Sequence, residues 1–136
     1  MEFGCGVGNA LFPCVARLPF LRVHAFDVST RAIRLLNQHN IDEERINAFV
    51  YDPTANFDWP VTVSTDPCIR SRGGADVALM LFMLSAVEPS FHRKCFRRAK
   101  DILRTGGRVS AVDNYGTENS HMKIYISTTL GGFLSL

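Results

Sequence analysis

Glu2-Phe3-Gly4-Cys5-Gly6-Val7-Gly8-Asn9 is the stretch whose reading decides the fold. Met1 to Phe3 can only be a short strand, and it runs at once into three alternating glycines. A helix is expected from near Asn9, turning Ala10, Leu11, Val15 and Leu18 toward a sheet. Pro13 fits that helix only in its first turn, where its missing N–H has no partner to lose. A glycine bend between a strand and a helix leaves the backbone bare, so a ligand can approach it closely.

Working outward, short apolar runs alternate with helical patterns, as in a parallel sheet covered by helices. Val23 to Phe26 reads as a second strand ending at Asp27, and Ser29 as the N-cap of a helix with an Ala32, Ile33, Leu35, Leu36 stripe. Ala48 to Tyr51 reads as a third strand ending at Asp52. Pro53 to Gly74 holds three of the six prolines and reads mostly as loop. Val77 to Leu81 is apolar without alternation, which predicts a fourth strand buried on both faces.

Pro89 to Leu103 reads as a helix with Phe91, Cys95, Ala99, Ile102 and Leu103 on one face. His92, Arg93, Lys94, Arg97 and Arg98 lie mostly elsewhere, either as a solvated face or as a surface for RNA phosphates. Thr105-Gly106-Gly107 is expected to stop that helix, and Arg108 to Val112 to form a fifth strand ending at Asp113. Beyond Tyr115, the segment from Ile124 to Leu136 is open to strand, helix or tail.

Composition narrows the field. The 136 residues are 46% hydrophobic and 21% charged, the proportions of one globular domain rather than a disordered chain. A net charge of +2 names no polyanionic partner by itself. The longest apolar run, Val77 to Leu84, is strand-sized and far below the roughly 18 to 20 residues that span a bilayer. That run length predicts no membrane span, and Cys5, Cys14, Cys68 and Cys95 show no Cys-x-x-Cys pair or zinc spacing, so reduced thiols and no metal site are expected. With no signal peptide in view, the expected compartment is the cytosol or nucleus.

Three ligand classes use such a glycine bend. A nucleoside triphosphate needs Gly-Lys-Ser/Thr, and Asn9 after Gly8 rejects it. A dinucleotide fingerprint wants its third glycine at position 9, which weakens that reading. S-adenosylmethionine sites use an acid followed by alternating glycines, as Glu2, Gly4, Gly6 and Gly8 provide. Glu2 suits the ammonium of the amino-acid head, Asp27 the two ribose hydroxyls and Asp52 an exocyclic amine such as that of adenine. Each acid also has a plain alternative, with Asp27 capping the helix at Ser29 and Asp52 opening a turn with Pro53.

The sequence resembles the class I methyltransferases and, within them, the tRNA 3-methylcytidine methyltransferases (the methyltransferase-like group). The resemblance rests on Glu2 to Asn9, Ala25-Phe-Asp-Val-Ser29 with Arg31-Ala32, Phe49-Val-Tyr-Asp52, and Asp76 to Val87 with Pro89. It implies an α/β fold, a Rossmann-like parallel sheet in the order 3-2-1-4-5 with helices on both faces. It also implies S-adenosyl-L-methionine as cofactor, tRNA as substrate, and cofactor contacts at Gly4, Asp27, Asp52, Pro53 and Leu81. Asp113 is the candidate catalytic carboxylate, accepting from the cytosine amino group, with a turn-capping role as its alternative.

Pro53 replaces a bulky aliphatic residue of the family and offers no N–H to adenine. Val112-Asp113-Asn114-Tyr115-Gly116 replaces an Arg-Asp-Tyr-Gly run. Residues 1–116 are expected to form a partial methyltransferase core and 117–136 a tail, a fragment incomplete at both ends and marginally stable alone. A small-molecule methyltransferase and a non-catalytic cofactor-binding or interaction module stay open beside the tRNA reading.

Overall fold

A computed structural model describes residues 1–55 and 58–113, together with the backbone of 123–127. The strand order is β3-β2-β1-β4-β5-β6, which is the order 3-2-1-4-5 expected from the sequence with a sixth strand added at the edge. The chain divides into two units, Met1–Asp52 and Pro53–Leu136.

In the first unit, β1 (Glu2–Phe3), α1 (Leu11–Arg17), β2 (Val23–Asp27), α2 (Thr30–His39) and β3 (Ile46–Val50) follow in sequence. The strands pair in parallel, Phe3 against Phe26 and Phe26 against Phe49. Strand alternation sends Val23, Ala25 and Ile46 to one face, where they pack with Leu11 and Val15 of α1 and Ile33 and Leu36 of α2. The other face carries an aromatic cluster, with Phe26 lying 4.6 Å from Phe3 and 5.2 Å from Tyr51 between ring centroids. Helix α2 starts where expected, the Ser29 hydroxyl accepting from the Ala32 N–H at 3.2 Å.

Two boundaries move. Leu18 is exposed rather than core-facing, because α1 ends at Arg17 and Leu18 adopts an extended backbone as its C-cap. Strand β3 starts at Ile46, paired with Val23, and stops at Val50; Tyr51 still donates its N–H to the Asp27 carbonyl at 3.1 Å.

In the second unit the stretch read as loop contains two short helices, α3 (Val61–Ser64) and α4 (Pro67–Arg72). Asp66 caps α4 by accepting from the Cys68 and Ile69 amides, Pro67 opens it and Gly73 closes it in the left-handed conformation. Then come β4 (Ala75–Leu81), a 3-10 turn at Leu84–Ala86, α5 (Pro89–Ile102), β5 (Leu103–Asp113) and β6 (Lys123–Ser127), which runs antiparallel to β5.

Three expectations are corrected here. Ala78 and Met80 are buried, but Val77 is exposed and Leu79 and Leu81 are half-buried, so β4 is not covered on both faces. Phe91 is exposed in the first turn of α5, and Phe96 is buried beside Cys95, Ala99 and Ile102. Thr105-Gly106-Gly107 does not stop the helix, which ends at Ile102; it lies inside β5. Ala75 pairs with Leu103 and Val77 with Arg108, so extra residues bulge out of β5 at the glycines. Asp76 accepts from Arg104 at 2.6 Å and Arg72 at 2.7 Å beside that bulge, and the Arg104 hydrogen bond holds its carboxyl below the usual range. Asn114, Tyr115, Gly116 and the last nine residues, 128–136, lie outside the described residues.

Candidate functional site

The glycine bend is built by its own backbone and by one carboxylate. Gly4, Gly6 and Gly8 have φ of +68°, +54° and +90°, conformations in which a side chain would be strained. The Cys5 N–H donates to the Phe26 carbonyl at 3.0 Å, tying the bend to β2, and the Gly8 N–H returns to the Cys5 carbonyl at 3.0 Å. A Cβ on Gly6 would meet no atom within 4 Å, whereas one on Gly8 would lie 2.7 Å from the Phe12 ring. Gly6 therefore faces open space and Gly8 serves close packing on α1.

Asp27 joins three segments. Its Oδ2 accepts the Gly6 N–H at 2.9 Å, its Oδ1 accepts the Ser29 N–H at 2.8 Å, and its carbonyl accepts the Tyr51 N–H at 3.1 Å. The helix-capping alternative is thus partly realised, since Asp27 orders the start of α2 while Ser29 makes the cap itself. Each carboxylate oxygen retains a second lone pair, so both hydrogen bonds can persist while further donors are accepted.

Glu2 sits opposite Ala25 on the strand face that also holds Asp27, and is only 5% exposed. The N-terminal ammonium favours its charged form, and burial opposes it more strongly. Burial pushes its pKa from 4.5 to about 7. A buried carboxylate in this condition favours a cation beside it. Burial, together with the charges of Glu2 and Asp27, pushes the Cys5 thiol up to about 12, so Cys5 is a neutral thiol and no nucleophile. Asp52, just past β3, is exposed. The structure thus brings Glu2, Gly4, Gly6, Gly8 and Asp27 together at the carboxyl ends of β1 and β2, with Asp52 at the adjoining end of β3.

In the second unit Pro53 is buried, Leu81 ends β4 half-buried, and Asp113 ends β5 at 1% exposure. Asp113 Oδ2 accepts the Ser85 N–H at 2.7 Å, so this carboxylate anchors the turn that leaves β4. That turn is also held by His92, whose Nε2 lies 2.8 Å from the Leu84 carbonyl and 2.9 Å from the Val87 carbonyl. Two acceptors require Nε2 to carry the hydrogen. Sequence reading placed His92 on a basic face and missed this role, for which no sequence motif gives a signal. Among the described residues no three His, Cys, Asp or Glu side chains are grouped to hold a metal ion. No helix there is long and apolar enough to cross a membrane.

Similarity to known proteins follows the same lines. Residues 1–109 match the family model described as "Methyltransferase domain". The tRNA N(3)-methylcytidine methyltransferase Mettl2 of Drosophila melanogaster is 36% identical over 109 residues, 78% of this chain and 31% of that protein. The tRNA N(3)-cytidine methyltransferase METTL6 of Homo sapiens is 31% identical over 132 residues, 96% of this chain and 44% of that one. The chain thus spans less than half the length of these relatives.

Among solved structures, the plantazolicin methyltransferase BpumL in complex with SAH superposes with a TM-score of 0.62 at 22% identity, over 82% of this chain and 37% of that one. The [4+2]-cyclase SpnF superposes at 0.65 and 18%, over 86% and 39%. A cyclase and a methyltransferase on one fold show that these likenesses carry architecture alone. Sequence match, strand order and glycine bend agree: the chain belongs to the methyltransferase domain family.

Proposed function

We propose that this chain carries the S-adenosylmethionine-binding core of a methyltransferase that modifies the ring nitrogen at position 3 of cytidine in tRNA. The observation that carries the reading is the constellation around the bend, with Gly6 open, Asp27 hydrogen-bonded to its amide and the Glu2 carboxylate buried. Those residues fit the cofactor's donor groups. Glu2 would pair with the ammonium, Asp27 would accept from the ribose hydroxyls, and Asp52 would accept from the adenine amine. Gly4, Gly6 and Gly8 keep side chains out of the way, and Pro53 and Leu81 are assigned to the cofactor as well, neither side chain having a hydrogen bond to offer it. Residues 1–116 would be the core and 117–136 an appendage to it.

The cofactor, when bound, supplies a methyl group on a positively charged sulfur. The cytosine ring nitrogen is a neutral lone pair at neutral pH, so no general base is needed. This chain's residues then have to orient the acceptor in line and exclude water. The atom is buried by base pairing, so the acceptor cytidine must be unpaired or flipped. Asp113 is the group we assign to the cytosine amine. The names of the relatives support tRNA as acceptor, and the cytoplasm or nucleus is the compartment we assign to the protein.

Calorimetric titration with S-adenosylmethionine, followed by transfer of labelled methyl groups to tRNA and to small metabolites, tests this. Saturable binding with methylation of tRNA cytidine is expected. No saturable heat overturns the cofactor assignment. Binding with transfer only to small molecules overturns the acceptor, and binding without any transfer makes the chain a cofactor-binding module.

A further inference from the structure

We propose that Phe82 is a stacking surface for the acceptor base, an inference that rests on the nucleoside acceptor given above. Phe82 follows β4 directly and has φ of +52°; it is the only non-glycine residue with positive φ among the described residues. A bulky aromatic residue is rarely found there, because its Cβ crowds the following carbonyl. Such strain persists only where the surroundings over-determine it, and it concentrates at functional sites.

The surroundings do so here. The Phe82 N–H donates to the Val112 carbonyl at 2.7 Å, fixing the residue to the end of β5. Three residues on, the Ser85 N–H is held by Asp113, and the Leu84 and Val87 carbonyls are held by His92. The backbone is thus pinned on both sides of the strained residue. The result is an outward aromatic ring, with Phe82 56% exposed while Met83 and Leu84 beside it are buried. An aromatic needed only for packing would turn inward as those neighbours do. This one is presented at the carboxyl end of β4, the edge at which open α/β sheets take ligands. Its ring has no aromatic partner among the described residues. Unpaired bases are recognised by stacking on such side chains, which needs a flat face and no charge.

Binding of a hairpin RNA with one unpaired loop cytidine, against the same hairpin abasic at that position, is measured with S-adenosylhomocysteine present. Phe82→Gly suits a positive φ, so its melting temperature should equal or exceed that of the parent. Its hairpin affinity should fall roughly tenfold, the scale of a lost base–aromatic stack. Phe82→Tyr, which keeps the face, should bind like the parent, and S-adenosylhomocysteine affinity should not change in either variant. A Phe82→Gly variant that binds the hairpin as the parent does overturns the inference and leaves the acceptor reading standing. One that melts well below the parent makes Phe82 a packing residue and also overturns it. A parent chain that cannot tell the cytidine hairpin from the abasic one overturns the acceptor reading itself, and this inference with it.

Discussion

The Gly6 amide and the Asp27 carboxylate, twenty-one positions apart in the chain, are joined by a hydrogen bond of 2.9 Å. The residue assigned to the ribose is therefore also the latch of the bend. Asp27→Asn puts an amide NH2 where two backbone donors converge, so one of the Gly6 and Ser29 amides loses its acceptor. We expect a loss of about 1–3 kcal/mol in stability, the usual cost of an unsatisfied group. Affinity for S-adenosylmethionine should fall at least tenfold in the asparagine variant and be abolished in Asp27→Ala. Denaturant unfolding and calorimetry separate the two roles: stability lost with affinity intact would leave Asp27 a latch and reject the ribose assignment.

Gly6 and Gly8 should respond differently to the same methyl group. Gly6→Ala meets only the strain of φ +54°, roughly 1–2 kcal/mol, but fills the open space proposed for the cofactor. Gly8→Ala adds a clash with the Phe12 ring to its own strain. Cofactor affinity should therefore suffer most in Gly6→Ala and thermal stability most in Gly8→Ala. Phe12→Leu should restore part of the second loss and none of the first, a coupling that a double-mutant cycle reads directly. Equal losses of affinity and stability in both variants would mean that the bend has no open side.

What could be read from the sequence was the part written in local chemistry. The acid and alternating glycines, the strand-end acids and the Ser29 cap are short patterns whose meaning depends on near neighbours. Helix α4 carried its signals too, in Asp66, Pro67 and Gly73, but six residues show no apolar periodicity, and three prolines between 53 and 67 suggested loop. The glycines at 106 and 107 read as a helix stop, because a strand bulge and a helix terminus both call for glycine. What separates the two is the pairing of β5 with β4, which is not local. The backbone of Phe82, fixed by the Val112 carbonyl, belongs to the same non-local class.

Glu2 ties stability to pH. Its pKa is raised in the folded chain, from 4.5 to about 7, because burial disfavours the charged form. Below pH 4.5 both states are protonated and burial carries no electrostatic penalty. Between 4.5 and about 7 the unfolded chain releases its proton while the folded chain retains it, so stability falls as pH rises. Above that window the loss is complete, at about 3 kcal/mol. Glu2→Gln should abolish this slope in thermal melts. If the cofactor's ammonium pairs with Glu2 it favours the ionised form, so affinity should rise with pH toward 7 and level off above it in the parent, with no such rise in Glu2→Gln. A parent melting curve flat across the window would contradict the buried-acid account.

Asp113 has two roles that two variants can separate. One oxygen accepts the Ser85 N–H at 2.7 Å, and asparagine can supply an equivalent acceptor there. Asp113→Asn should therefore melt close to the parent. Asp113→Ala removes this acceptor from the Ser85 amide and empties a buried position at the end of β5, and should lose about 1–3 kcal/mol. If the carboxylate also accepts from the cytosine amine, the asparagine variant presents a neutral amide to that donor, a weaker acceptor than an anion. Its kcat/KM for methyl transfer to a cytidine acceptor should then drop about tenfold while its melting temperature and cofactor affinity stay where they were. Full activity in Asp113→Asn, with the alanine variant destabilised, would assign Asp113 wholly to holding the turn that leaves β4. The outward ring of Phe82 would then be the acceptor's principal contact in that unit.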